Sequence, residues 1–278
     1  MDGQPAGAQP TGPQPKGVQP TGVLRTDAPP DAPARKVASF TAPLQVAEEH
    51  HLCPGCGHPV AWRLLLEVIS ELSLAQRAIG IVGHGCYTNI VRLADIDFLQ
   101  CLHGRAPAVA TGVKRVRPEA AVFTLQGDGD MASEGLAEIL HTAARGERVT
   151  AIMLNNGVFG DTGGQMTAAS VVGQRTKTSI DGRDPGLHGY PVPVADLVAS
   201  LAGTAFVARG AVNTAGAVAH TKRHLRRAFE LQVEGAGFTM VEILTMCPTG
   251  WFVPTNEGPG YLSDSFEETY PLGTLKQP

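Results

Sequence analysis

Apolar residues recur along this chain with two periods. Val60, Leu64, Leu65, Val68, Ile69 and Leu72 fall at helical spacing and predict an amphipathic helix running to about Leu72. The continuous apolar run from Ala78 to Val82 reads as a strand, as do Ala121 to Leu125, Val149 to Leu154, Thr204 to Arg209 and Phe238 to Leu244. Leu136, Ile139, Leu140 and Ala143 sit at i, i+3, i+4 and i+7, with Gly146 placed to stop the helix. Val194 to Leu201 and Val218 to Leu231 predict two more helices. Strand, helix, strand in alternation predicts an α/β fold: a mostly parallel sheet, right-handed crossovers and helices on both faces.

Polar residues gather where these strands end. Gly127-Asp128-Gly129 follows one strand and Asn155-Asn156 closes the next. Open α/β sheets bind ligands just outside the carboxyl ends of their strands. A carboxylate and an amide oxygen there suit a hard cation such as Mg²⁺ that keeps part of its shell for phosphate oxygens. The glycines beside Asp128 let a diphosphate come close to the backbone. A solvated DG turn and an unrelated NN loop is the bland alternative. It loses ground because strand, helix, strand, NN and Gly160-Asp-Thr-Gly-Gly-Gln165 occur together.

Composition narrows the picture. With 43% apolar and 17% charged residues over 278, the chain can bury a core. A formal charge of −4 and 5% aromatics argue against a nucleic-acid surface. No apolar run approaches the roughly 18 to 20 residues of a membrane helix. The first residues lack the basic start and apolar centre of a secretory signal, so a cytoplasmic protein is expected. Residues 1–36 carry GAQPT, GPQPK and GVQPT in five-residue register and are expected to be disordered, since Gly, Pro and Gln bury too little to offset ordering. The folded domain is expected over 40–247, starting near Phe40. Residues 248–278, rich in Pro and Gly, are expected as an extension packed on a neighbouring subunit.

Four cysteines lie in three places. Cys53 and Cys56 occupy a turn entering the first predicted helix, whereas Cys86 and Cys247 each follow a predicted strand. The strand-end pair therefore belongs on the same sheet edge as the GDG and NN turns. Cys101 is left over, without an assigned role. Disulfides do not persist in a reducing cytoplasm, and a thioredoxin-type pair would use only Cys53 and Cys56. A structural zinc site and a [4Fe–4S] cluster each take four thiolates, and spacing alone does not choose between them.

Several motifs in order bring a family into view: Cys53-Pro-Gly-Cys56, Gly85-Cys86, His103-Gly-Arg-Ala-Pro-Ala-Val-Ala-Thr-Gly112, Gly127-Asp-Gly-Asp130, Asn155-Asn156, Thr162-Gly-Gly-Gln165 and Cys247-Pro-Thr249. Together they resemble the β subunit of 2-oxoacid:ferredoxin oxidoreductases, which binds thiamine diphosphate. Lys114-Arg-Val-Arg-Pro118, Gly173-Gln-Arg-Thr-Lys177, Gly182-Arg-Asp184 and Tyr270-Pro-Leu-Gly273 bring it nearest the branched-chain, 2-oxoisovalerate type. The resemblance implies a diphosphate-type thiamine-binding fold, with Mg²⁺ on Asp128, Asn156 and the carbonyl of Val158. It implies cofactor contacts from Gly85, Tyr87, His103, Gly129, Asp130, Gly160 and Asp161. It also implies a [4Fe–4S] cluster on Cys53, Cys56, Cys86 and Cys247, favouring iron over zinc.

The activity so implied is CoA-dependent oxidative decarboxylation of a 2-oxoacid. Single electrons pass from the thiamine enamine to the cluster and on to ferredoxin. The substrate is 2-oxoisovalerate-like, with 2-oxoglutarate or pyruvate as alternatives. The implied partners are an α subunit carrying the pyrimidine-binding domain, with its thiamine-activating glutamate, and ferredoxin-like and further subunits. Phe159 and Asp161 stand where family members often have Tyr and Met. The positions of His220, Lys222, Arg223, His224, Arg226 and Arg227 predict a solvated helix face, and Arg105, Arg175, Lys177 and Arg183 are candidates for anionic groups or a partner.

Overall fold

Seven strands make the central sheet of the computed structural model, which describes residues 44–46 and 49–278. The repeats of 1–36 and the expected domain start near Phe40 lie outside the described residues. The strands in chain order are β1 Ala78–Val82, β2 Asp97–Gln100, β3 Ala121–Gly127 and β4 Thr150–Asn155, then a hairpin of β5 Val158–Phe159 and β6 Gln165–Met166, then β7 Thr204–Ala211, β8 Phe238–Leu244 and β9 Gly273–Lys276. The sheet runs β2-β1-β3-β4-β8-β7-β9, with β5 and β6 forming a separate two-stranded ribbon. Every pairing in the large sheet is parallel except β7 with β9.

The apolar runs are strands because both of their faces are covered, the usual condition of a parallel sheet. β4 and β8 are buried at every position. The helices His58–Glu71 and Ala215–Glu234 pack together on one side, while Ala106–Val116, Leu136–Ala144 and Val194–Ala199 form the other layer. Phe123 of β3 meets Phe98 and Phe229 edge-on, with centroids 5.8 Å away in each case. Fully burying one such side chain contributes about 1.5–3 kcal/mol. β2, with the pattern exposed, intermediate, exposed, exposed, carries only Phe98 and Leu99 as apolar residues, too short a run to read as a strand.

The stretch after Cys247, expected as an extension packed on a neighbouring subunit, makes extensive contacts with its own domain. Trp251, Leu262, Phe266 and Tyr270 are all buried, the aromatics stack in series, and β9 completes the sheet edge. Four large apolar groups in thirty residues are enough to anchor a segment that reads as Pro/Gly-rich.

On the expected solvated face of Ala215–Glu234, His220, Arg223 and Arg227 are exposed, while Lys222 and Arg226 form an ion-pair seam. Lys222 bridges Glu67 and Glu71 of the first helix at 2.8 and 2.6 Å, and Arg226 joins Glu71. No described helix is long and apolar enough to cross a membrane.

Candidate active site

β1, β3, β4 and β8 stand side by side and parallel, so their carboxyl ends share one edge. The loops leaving those ends carry Gly83–Tyr87, Gly127–Asp130, Asn155–Gly160 and Thr245–Cys247. The Cys53–Cys56 turn joins them from outside the sheet. Gly57, at the start of the first helix, donates its N–H to the carbonyl of Met246 at 2.9 Å. A Cβ on Gly57 would come within 2.7 Å of the Met246 nitrogen, so only glycine allows this approach.

Asp128 is 1% exposed. Its carboxylate accepts the Thr167 hydroxyl at 2.5 Å and the Asn156 N–H at 3.3 Å. Burial pushes its pKa up to about 7, against the pull of those two bonds. No cationic side chain among the described residues pairs with it. Asn156 spends its side-chain oxygen on the Val158 N–H at 3.1 Å, and its backbone carbonyl accepts the Trp251 indole N–H at 2.7 Å. Behind it, Asn155 donates 2.7 Å to Glu242, itself paired at 2.7 Å with the buried Arg209. The NN turn is therefore anchored from three directions.

Asp130 is held as firmly. It accepts from the Tyr87 hydroxyl, from the Gly104 N–H and, at 3.2 Å, from the His84 N–H, with His103 Nδ1 at 3.7 Å. A Cβ on Gly83 would collide with this carboxylate, and one on Gly129 with the Phe159 ring. Tyr87 is 1% exposed and its hydroxyl is committed to Asp130 and the His84 carbonyl, so it lines the cleft as a wall. Gly129–Glu134 leaves the GDG turn as a π-helical segment, a feature frequent at functional sites. Asp161 is exposed.

Two cavities meet at this edge. One is a cleft lined by Gly85, Tyr87, His103, Asp128, Gly129 and Asp130, among others. The second is lined by Cys53, Cys56, Cys86 and Cys247 together. His58, Cys86, Asn156, Gly160 and Asp161 border both. The cleft therefore gathers every sequence-predicted cofactor residue and the second cavity every predicted thiol.

Gly160 is the thin point of the wall: the place its Cβ would occupy lies 3.5 Å from Cys86 Sγ and 3.7 Å from Cys247 Sγ. Burial, reinforced by the neighbouring thiols, pushes Cys56 up to about 12 and Cys247 up to about 11. For Cys86, burial comes first and Asp161 next, raising it to about 12. Thiols of this kind ionise only when a metal takes the proton's place. Cys101 stands apart, its thiol 3.3 Å from the Val82 carbonyl.

Arg183 is not available to an anion. Its guanidinium serves six backbone carbonyls, among them Thr167 at 3.2 Å and Ser170 at 2.8 Å, and so staples the segment that presents Thr167. Arg105 is spent on Glu138 and Arg175 on the Ile180 carbonyl, while Lys177 borders the thiol cavity. Thr167, Trp251 and Glu242 escaped the sequence reading because single polar residues outside a spacing pattern carry no signal. His58 stood inside the Cys56-Gly-His58 run without a role, although its place in the first turn beside a thiol was legible.

Residues 83–243 match the family described as thiamine pyrophosphate enzyme, C-terminal TPP binding domain. The chain is 37% identical over 226 residues to ketoisovalerate oxidoreductase subunit VorA of Methanothermobacter thermautotrophicus, covering 81% of this chain and 47% of that one. It is 32% identical over 197 residues to 2-oxoglutarate synthase subunit KorB of Archaeoglobus fulgidus, covering 71% and 69%. It thus spans about half the length of VorA. A solved 2-oxoglutarate:ferredoxin oxidoreductase from Magnetococcus marinus, with 2-oxoglutarate, coenzyme A and succinyl-CoA bound, shares the fold with a TM-score of 0.68 at 23% identity over 87% of each chain. Fold, edge geometry and relatives agree, and the chain belongs to the thiamine pyrophosphate-binding β subunits of the 2-oxoacid:ferredoxin oxidoreductases.

Proposed function

We propose that this chain is the cofactor-bearing subunit of an enzyme that oxidatively decarboxylates a 2-oxoacid in the presence of CoA and passes the electrons singly to ferredoxin. Higher identity to a ketoisovalerate subunit than to a 2-oxoglutarate subunit, 37% against 32%, favours a branched-chain substrate. 2-Oxoglutarate and pyruvate are the alternatives of the same class. The observation that carries the reading is the wall shared by the two cavities, with Cys86, Asn156 and Gly160 in both.

The residues fit the groups this activity requires. Asp128, Asn156 and the Val158 carbonyl would hold Mg²⁺, since a buried carboxylate with no cationic partner sits beside an anchored amide. Gly85, Tyr87, His103, Gly129, Asp130, Gly160 and Asp161 would receive thiamine diphosphate, which when bound supplies a nucleophilic carbon and an electron sink. Asp130, fixed by Tyr87, His84 and Gly104, keeps the cleft wall rigid, and Gly129 leaves room above the backbone.

Cys53, Cys56, Cys86 and Cys247 would hold the [4Fe–4S] cluster. Four thiolates suit either a single Zn²⁺ or such a cluster, and the likeness to subunits of 2-oxoacid oxidoreductases favours the cluster. Five unpaired thiols suit a reducing, cytoplasmic setting.

The glutamate that activates the cofactor is assigned to an α subunit, with ferredoxin-like subunits completing the enzyme. The test is 2-oxoacid-dependent reduction of a viologen dye. Turnover that needs CoA, thiamine diphosphate and the co-purified partners supports the proposal. Substantial turnover by this chain alone, or none by the assembled complex with any 2-oxoacid, refutes it.

A further inference from the structure

His58 is the first residue of the His58–Glu71 helix and is 4% exposed. It borders both the cofactor cleft and the thiol cavity. Its Nε2 stands 3.3 Å from Asn156 Nδ2. The identity of that amide nitrogen is fixed by the other end of the group, because Asn156 Oδ1 accepts the Val158 N–H at 3.1 Å. The amide therefore donates, Nε2 must offer a lone pair, and the ring proton resides on Nδ1. With Nε2 accepting and Nδ1 carrying the proton, the ring is neutral. Nδ1 is buried and has no partner. A buried N–H donor left without an acceptor marks a place where something unaccounted for belongs.

His58 borders the cavity lined by the four cysteines, and Cys56 stands two residues before it in the same turn. Nδ1 is the ring nitrogen nearer the backbone of this turn, while Nε2 reaches out to Asn156. The geometry points to His58 as a bridge between the two halves of the site: Nε2 fixes the Asn156 amide beside the metal, and Nδ1–H donates to a sulfur of the iron–sulfur group in the four-cysteine cavity. This rests on the reading proposed above and adds a residue that the four thiolates and the metal ligands do not include. Hydrogen bonds to cluster sulfurs favour the reduced form, so His58 raises the reduction potential of the cluster.

The test uses full-length chain, purified anaerobically with its partner subunits, and three variants. Asparagine places an amide nitrogen near the position of Nδ1; glutamine places an oxygen near the position of Nε2; leucine supplies neither. Cluster potential is read by EPR-monitored redox titration, and metal affinity by EPR with Mn²⁺ in place of Mg²⁺. His58→Gln and His58→Leu should shift the potential to lower values, with His58→Asn staying near the parent. Mn²⁺ affinity should fall several-fold in His58→Asn and His58→Leu and hold in His58→Gln. Unchanged potentials in all three, with iron content intact, overturn the inference alone. A parent preparation without iron and sulfide overturns the underlying reading as well, before any variant is compared.

Discussion

The two cavities at the sheet edge are built differently. On the diphosphate side, Asp128, Asp130 and Asn156 are tied to the protein: Thr167, Tyr87, Trp251 and three backbone N–H groups meet them. On the thiol side, Cys53, Cys56, Cys86 and Cys247 come from three distant stretches, and burial, then neighbouring thiols, raises the pKa of Cys56, Cys86 and Cys247. The contrast teaches that the proposed Mg²⁺ would fill a socket the protein already shapes, while the proposed cluster would tie separate loops together.

Substitutions can break this contrast. The largest effect is expected for Cys86→Ser, which should abolish 2-oxoacid-dependent acceptor reduction while thiamine diphosphate binding, followed by calorimetry, stays within about threefold of the parent. Equal loss of both would mean that the halves are not independent. Asp128→Asn should act the other way, cutting Mg²⁺ affinity on the order of 100-fold while iron content is unchanged.

Thr167→Val removes only the hydroxyl that orients Asp128, and about a tenfold loss of Mg²⁺ affinity is expected by the same titration. An unaltered affinity would show that the socket is not set by this bond. The smallest effect lies away from the edge. Arg226→Ala should cost under about 1 kcal/mol in denaturant unfolding, with less difference at high salt. Because the hydrogen bond from Lys222 holds Glu71 below its usual carboxylate value, the contribution of this seam is present above the ordinary carboxylate range and disappears as pH falls through the lowered value.

The sequence exposed one half of the site more fully than the other, for a physical reason. Asp128 and Asn156 sit on consecutive strands of one β-helix-β unit, so apolar periodicity and short turn motifs placed them together. The thiols were legible as residues, and Cys86 and Cys247 as members of one edge. The Cys53–Cys56 turn reaches that edge through contacts such as the Gly57–Met246 bond, across nearly two hundred residues, that no local pattern announces. β2 escaped because a four-residue edge strand with one inward residue, Phe98, prints no alternation. The last segment misled because proline and glycine dominate its composition, while its anchoring rests on Trp251, Phe266 and Tyr270. Arg183 reads as an anion site in sequence because nothing there reveals that six carbonyls converge on it.

The central claim is that turns from three parts of the chain close around an iron–sulfur group one residue's width from the cofactor cleft. Iron, zinc and acid-labile sulfide, measured per chain on anaerobically purified protein, test it most directly. About four irons with matching sulfide and no zinc are predicted. A single zinc without iron, or no metal at all in protein that is otherwise folded, would contradict it.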